Sequence, residues 1–177
     1  LGPGFEPREG VAPCDILRRG GIDVGGASVG ERLVEAGHGI RIEADCTVAE
    51  LDAEKLDMIV LPGGLGGVQS ILGSEKTLEL IRRVYDEGKF VAAICAAPSV
   101  LAQYGLLAGR RATCYPGFES KCTGAHMVDA DVVTDGPITT GRALGAAIPF
   151  ALELVRLLTD EQTAARTAEE IVWRHDG

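Results

Sequence analysis

A single cysteine stands where an apolar run gives way to a helical pattern. In FVAAICAAPSVLAQYG (residues 90–105), Cys95 follows five apolar residues and precedes a segment bounded by proline and glycine. A thiol at a helix N-terminus meets free N–H groups and a partial positive charge, which lower its pKa from about 8.5. This pattern predicts a nucleophile, but a buried cysteine acting as a small hydrophobe is the commoner use of the residue.

The segment PGG at residues 62–64 offers backbone groups that could act with such a thiol. Gly63 and Gly64 permit close backbone approach, because glycine lacks a Cβ atom. The amides of Gly64 and Ala96 could together hold an oxyanion formed on a substrate bonded to sulfur. PGG alone is a weak signal, since any tight turn can use it.

Proton transfer needs a partner, and Glu9 in the opening loop is the candidate. A carboxyl close to a thiolate has a raised pKa, so it can be protonated, donate a hydrogen bond to sulfur and shuttle protons. The competing interpretation, which the residues alone favour, is a solvated loop carboxylate like Glu6. His126, in GAHMVD, is a further candidate between late strands, against the commoner structural role of a lone histidine.

Hydrophobic runs without polar alternation, separated by helical patterns, must position these groups. Helices are predicted over residues 9–21, 74–88 (with Ser74 as N-cap), 97–105 and 143–158, and from TDEQ, where Thr159 and Gln162 have capping-box spacing. Strands are predicted within residues 22–30, 40–51, 58–61, 90–94 and 111–117, and as a pair around Asp135-Gly136. The segment 31–39 is predicted to be a hairpin-like excursion.

This alternation predicts an α/β fold: a doubly wound three-layer sandwich with a mostly parallel sheet and helices on both faces. We expect one domain over residues 1–177, without repeats or linkers. In such sheets the site lies at the carboxyl ends of the strands. PGG, Cys95 and the opening loop GFEPRE are therefore expected at one edge.

Composition excludes several function classes. The net charge is −9 and no lysine or arginine cluster occurs, which argues against nucleic acid or an anionic membrane as partner. No apolar run approaches the ~18 residues of a membrane span. Five widely spaced cysteines without a C-x-x-C, and only three histidines, predict reduced thiols in a cytoplasmic protein and no metal site.

Four motifs in order resemble the ThiJ/PfpI superfamily. They are AAICAAPSVLA, GFEPREGVAPCDILRRGGIDV, VLPGG and TDGPITTGRALGAAIPFALELV, and together they cover nearly the whole chain. Within the superfamily, they look closest to the branch of the parkinsonism-associated deglycase and the ThiJ-type glyoxalases III. The resemblance implies a flavodoxin-like sheet with an internal strand ahead of the opening loop, so we expect a first strand before Leu1.

The resemblance also assigns roles to individual residues. It implies that Cys95 is the reactive, oxidation-prone cysteine, that Glu9 hydrogen-bonds it, and that the amides of Gly64 and Ala96 bind an oxyanion. His126 falls near the family's pocket histidine. Arg142 matches an arginine of the late loop, where relatives have R-G-P-G and this chain has RALG.

For function, the resemblance implies a cofactor-independent homodimeric enzyme acting on reactive aldehydes or glycated adducts. The reaction would be conversion of methylglyoxal to lactate (glyoxalase III) or deglycation. The alternative is a non-enzymatic oxidative-stress sensor or redox-regulated chaperone that uses oxidation of Cys95. Both use Cys95 and Glu9, so the sequence leaves them open, whereas a peptidase of the PfpI branch would need histidine where this chain has Ala96.

Overall fold

A central sheet, two helical layers and three small strand pairs make up the computed structural model, which describes residues 1–174. The helices are α1 Pro7–Arg19, α2 Leu65–Leu72, α3 Glu75–Asp86, α4 Pro98–Gln103, α5 Ala147–Leu158 and α6 Glu161–Glu170. The strands are β1 Ala27–Ser28, β2 Leu33–Glu35, β3 Arg41–Glu43, β4 Cys46–Thr47, β5 Met58–Leu61, β6 Phe90–Ile94, β7 Arg111–Ala112, β8 His126–Met127, β9 Val132–Asp135 and β10 Ile138–Gly141.

The central sheet has the strand order β5-β6-β10-β9. Strands β5, β6 and β10 run parallel, and β9 returns antiparallel beside β10 through the turn at Asp135-Gly136. In β6, Val91 and Ala93 pack into one core while Ala92 and Ile94 pack into the other. Because both faces of β6 are covered, its sequence shows no polar alternation, and the predicted three-layer α/β architecture with a mostly parallel sheet is confirmed.

Three smaller strand pairs lie outside the central sheet: β1–β4 parallel, β2–β3 antiparallel and β7–β8 parallel. The strand predicted within residues 22–30 contracts to β1, because its pairing with β4 lasts for two positions. Leu1 also lies beside β1: its amino group donates to the Ala27 carbonyl, and its own carbonyl accepts from the Val29 N–H at 2.8 Å. The pair β2–β3 supplies the hairpin expected around residues 31–39.

Most of the helices predicted from the sequence are present, but the cap at the start of α6 differs from the prediction. Ser74 caps α3, accepting the Thr77 N–H at 3.2 Å as predicted. The N-cap of α6 is Asp160 rather than Thr159: Asp160 accepts from Thr163 at 2.8 Å, while the Thr159 hydroxyl donates back to Val155 O. Asp160 is the N-cap because the Thr159 hydroxyl already donates to a carbonyl of α5.

Helix α2 was not anticipated from the sequence, since LGGVQSIL begins with glycines that are typical of a loop. Those glycines are needed for packing. A Cβ on Gly67 would lie 2.7 Å from Phe5 Cβ, and one on Gly66 would lie 2.8 Å from Pro3 O. Helix α2 therefore packs directly against the opening loop and holds it over the sheet edge. None of the helices within residues 1–174 is long and apolar enough to span a membrane.

Candidate active site

Cys95 is the first residue after β6 and has a backbone conformation that non-glycine residues rarely adopt. Its φ is +66°, in the left-handed region. Its N–H donates to Gly141 O at 2.9 Å, and its carbonyl accepts from the Tyr115 N–H at 2.8 Å. Both backbone groups are thus anchored to neighbouring segments, which hold the strained turn in place and aim the side chain out of the sheet edge.

Glu9 lies in the first turn of α1 and reaches the same point from the opposite side. It is 1% exposed, so the interpretation as a solvated loop carboxylate is wrong. Its Oε2 accepts the Gly63 N–H at 3.0 Å, and its carboxyl hydrogen-bonds the Cys95 side chain. The opening loop is fixed there because the Glu6 N–H donates to Gly63 O at 3.0 Å.

The two glycines of PGG leave no room for a side chain. A Cβ on Gly63 would lie 2.6 Å from Glu9 Oε2 and 2.7 Å from Cys95 Cβ. Gly64 has φ +85°, and a Cβ there would lie 2.5 Å from the Glu6 nitrogen. Glycine at both positions is what lets β5, β6 and the opening loop meet.

Two backbone amides point at the Cys95 sulfur. They belong to Gly64 and Ala96, the pair that the sequence proposes for binding an oxyanion. The structure thus brings Cys95, Glu9, Gly63, Gly64 and Ala96 together at the carboxyl ends of β5 and β6. An acceptor bonded to the sulfur would lie beside fixed N–H donors, the arrangement that stabilises developing negative charge on oxygen.

The thiol is not acidic in this setting, contrary to the sequence-based expectation. Burial, the facing charge of Glu9 and the hydrogen bond to Glu9 raise the pKa of Cys95 to about 12, although the Ala96 and Gly64 amides lower it. Helix α4 begins only at Pro98 and has six residues, so its dipole is weak at the sulfur. The thiol therefore keeps its proton beside a carboxylate that can accept it.

The pKa of Glu9 is raised as predicted, but for a different leading reason. Burial disfavours the carboxylate most, while the hydrogen bonds with Cys95 and the Gly63 amide partly offset it. The neighbouring charge that contributes is Glu6, and its effect is smaller. A buried carboxyl with a raised pKa holds a proton more readily than an exposed one, which suits it to take a proton and return it.

The raised pKa of Glu9 predicts a pH-dependent stability difference for Glu9→Gln. From the ordinary pKa of 4.5 up to the raised folded-state value, the folded protein binds more protons than the unfolded chain. Wild-type stability therefore falls as pH rises through this window, whereas glutamine does not titrate. Urea unfolding from pH 4 to 8 should show Glu9→Gln gaining stability over wild type with rising pH. A constant difference over this range would contradict the prediction; exposed Glu31→Gln serves as the control.

Arg142 and His126 lie away from the sulfur contacts. Arg142 follows β10, pairs with Asp129, and lines a cavity of about 320 Å³. The other lining residues are Thr113, Cys114, Pro116, Glu119, Met127, Val128 and Asp129. His126 is exposed on β8 beside Arg111, while its neighbour Met127 faces the cavity, so the structure does not bring His126 to Cys95.

Tyr115 is a site-forming residue that the sequence reasoning missed. Its amide holds the Cys95 carbonyl, and its half-exposed ring makes an edge contact with Phe118 at 6.1 Å. The only sequence signal was its position directly before Pro116, within the strand predicted in residues 111–117. Within residues 1–174, no group of three or more His, Cys, Asp or Glu side chains is arranged to hold a metal ion.

The chain resembles known proteins over most of its length. The DJ-1/PfpI family matches residues 1–157. The chain is 38% identical to Protein DJ-1 homolog A of Arabidopsis thaliana, covering 97% of the chain but 45% of that protein, so it spans under half of this relative. It is 34% identical to Deglycase PfpI of Pyrococcus furiosus, covering 87% of the chain and 93% of that protein.

The fold agrees with a solved structure at comparable identity. The crystal structure of Drosophila melanogaster DJ-1beta superposes with a TM-score of 0.94 at 35% identity, covering 99% of this chain and 96% of that one. The flavodoxin-like α/β fold expected from the sequence is therefore confirmed.

Proposed function

Because this chain belongs to the DJ-1/PfpI family, we propose that it is a cofactor-independent cysteine enzyme that converts methylglyoxal to lactate. One observation carries the proposal: the Cys95 thiol touches the buried Glu9 carboxyl and faces the amides of Gly64 and Ala96. A nucleophile, a base and oxyanion donors are the groups needed for addition to a carbonyl. The deglycase names of the Pyrococcus relatives support carbonyl or glycated substrates of the same class.

The first step is addition of sulfur to the aldehyde carbon. As the S–C bond forms, the Glu9 carboxylate takes the thiol proton, so no free thiolate has to exist beforehand. This suits a thiol whose pKa is raised to about 12. The aldehyde oxygen receives hydrogen bonds from Gly64 and Ala96 while it is negative and then takes the proton from Glu9, which gives a neutral hemithioacetal and restores the Glu9 carboxylate.

The remaining steps move two hydrogens without any external oxidant. Glu9 removes the proton from C1 of the hemithioacetal and the C2 oxygen gains a proton, giving an enediol; Glu9 then returns its proton to C2 as the C1 hydroxyl loses its own. The product is the lactoyl thioester of Cys95. Water then cleaves the thioester, which releases lactate and restores the thiol. Methylglyoxal plus water gives lactate: C1 is oxidised and C2 is reduced by the same electron pair.

Arg142 follows β10 and lines the cavity; in this proposal its guanidinium attracts the carboxylate of the product. The expected homodimer belongs to this proposal as well. His126 is given no step, because its side chain is exposed on β8.

The proposal is tested by incubating the purified chain with methylglyoxal, EDTA and no added cofactor, and measuring D- and L-lactate. Lactate should equal the methylglyoxal consumed. Glu9→Gln should lower the rate about 100-fold or more, because it removes the base, whereas exposed Glu31→Gln should not. Failure of wild type to form lactate would reject the enzyme. Selective oxidation of Cys95 to the sulfinate by mild peroxide would then favour the sensor.

A further inference from the structure

Arg142 is a charged side chain on the wall of a cavity that methylglyoxal would not fill. The cavity has a volume of about 320 Å³, which is in the size range of sites for small organic ligands. Methylglyoxal is uncharged and would occupy only a small part of this space. A larger substrate, with a group that a guanidinium recognises, fits the cavity better.

The backbone of Cys95 is bonded to residues that adjoin this cavity wall. The Cys95 N–H donates to Gly141 O at 2.9 Å, and Arg142 is the next residue along the chain. The Cys95 carbonyl accepts the Tyr115 N–H at 2.8 Å, and the wall residue Cys114 directly precedes Tyr115. Because successive Cα atoms lie ~3.8 Å apart, the wall starts within a few residue lengths of the sulfur. A substrate bonded to the sulfur can therefore reach the wall with a short chain.

The ion pair between Arg142 and Asp129 can exchange its acidic partner. The side chain of Asp129 is 83% exposed and that of Arg142 is 38% exposed, so water competes for both charges. Exposed ion pairs of this kind add little stability. Asp129 is the only ion-pair partner of Arg142 within residues 1–174. A carboxylate that enters the cavity can replace Asp129 on the planar guanidinium, and Asp129 then returns to water.

The other polar side chains of the wall are already hydrogen-bonded to the backbone. Thr113 donates to a carbonyl at 2.8 Å, the Cys114 thiol donates to another at 3.4 Å, and Glu119 accepts an N–H at 2.8 Å. The Glu119 carboxylate repels an anion that is not paired with a cation. An anionic group in this cavity is therefore confined to the guanidinium of Arg142.

We infer that the substrates of this site are α-oxoaldehydes that carry a carboxylate, which Arg142 binds while Cys95 attacks the aldehyde. The inference rests on the proposed reaction at Cys95 and narrows its substrate class. Pro116, Met127 and Val128 give the cavity an apolar wall for the methylene chain between the two ends of the substrate.

The chemistry is that derived for methylglyoxal, with γ,δ-dioxovalerate as the example. Sulfur adds to the aldehyde carbon, the proton moves from that carbon to the ketone carbon, and water cleaves the thioester. The aldehyde carbon is oxidised to a carboxylate and the ketone carbon is reduced to an alcohol by the same electron pair. One γ,δ-dioxovalerate and one water give one α-hydroxyglutarate and a proton, with no external oxidant.

The test compares kcat/KM for γ,δ-dioxovalerate and methylglyoxal, with α-hydroxyglutarate and lactate quantified. Wild type should prefer the carboxylated substrate by about 10-fold or more, the effect of a charge-assisted hydrogen-bonded pair. Arg142→Met should remove this preference, mainly through KM, and Arg142→Lys should retain part of it. Asp129→Asn should increase the preference, because the competing carboxylate is gone. Arg41→Met, which changes an exposed arginine on β3, should leave the ratio as in wild type.

A second measurement does not depend on turnover. Levulinate has the ketone and the carboxylate of γ,δ-dioxovalerate but no aldehyde, so it should slow the alkylation of Cys95 by iodoacetamide. Levulinamide, which lacks the charge, should protect less, and Arg142→Met should abolish the difference between the two compounds.

The outcomes separate this inference from the proposed enzyme. If wild type used both substrates equally, or if the preference survived Arg142→Met, the inference would be overturned while the enzyme would stand. If wild type formed neither product, the proposed reaction would fail. Protection by levulinate that depends on Arg142 would then still support the carboxylate site, and equal protection by levulinate and levulinamide would overturn it.

Discussion

Cys95→Ser is expected to lower the rate of lactate formation ~10⁴-fold, because it removes the nucleophile of the proposed reaction. The serine hydroxyl can keep the hydrogen bond to Glu9, yet oxygen is a much weaker nucleophile than sulfur and yields its proton to a carboxylate less readily. The side chain stays small and the backbone anchors to Gly141 and Tyr115 are unchanged, so stability should change little. Steady-state methylglyoxal consumption, with lactate quantified, measures the effect.

Cys14→Ser is the matched control, since Cys14 is a partly buried thiol on α1. Its rate should equal that of wild type. If Cys95→Ser kept more than a tenth of the wild-type rate, sulfur would not be the reacting atom. The role of the Glu9 contact would then need another explanation.

Gly63→Ala is expected to disable the site by steric means, without touching a reacting group. The new Cβ would lie 2.6 Å from Glu9 Oε2, 2.7 Å from Cys95 Cβ and 3.0 Å from Ile94 O. The last contact is backbone, so the strain cannot be relieved by a side-chain rotation alone. We expect a loss of about 1–3 kcal/mol in unfolding free energy. We also expect at least a ~100-fold loss of rate, because Glu9 and Cys95 are pushed out of register.

Gly25→Ala provides the comparison, because its Cβ would meet nothing closer than 3.9 Å. Urea unfolding and lactate assays on both variants separate the local clash from a general effect of replacing glycine. If Gly63→Ala kept the wild-type rate and stability, the close approach of β5, β6 and the opening loop would not be required for activity. Retained stability with lost activity would confine the damage to the Glu9–Cys95 contact.

The sequence was sufficient for the parts of the site that follow from topology. Parallel strands ending at one edge bring PGG and Cys95 together. The prediction that the opening loop lies at the same edge is confirmed by the hydrogen bonds of Glu6 and Glu9 with Gly63, each 3.0 Å long. Ser74 and the turn at Asp135-Gly136 were also predicted, since caps and tight turns are local in sequence.

What sequence alone missed depends on burial and on distant contacts. The raised pKa of Cys95 follows from a carboxylate contributed by another element and from packing around the sulfur, neither of which a local pattern contains. The apolar side chain of Val11 is 47% exposed, because α1 packs chiefly on α5 through its other face, and the helical pattern alone does not show which face is covered. Cys114 and Cys122 have no periodic pattern, so their burial could not be predicted.

The anchoring of the site has a consequence for how this protein can diversify. The groups around the sulfur are two backbone amides, the glycines of PGG and the Glu9 carboxyl, and they are held in place by β5, β6 and α1. Almost any substitution there would therefore disturb their geometry around Cys95. The cavity wall, by contrast, is built from residues between positions 113 and 142, none of which belongs to β5, β6 or α1. Residues of that wall can therefore change, in evolution or by engineering, while the geometry around Cys95 stays the same.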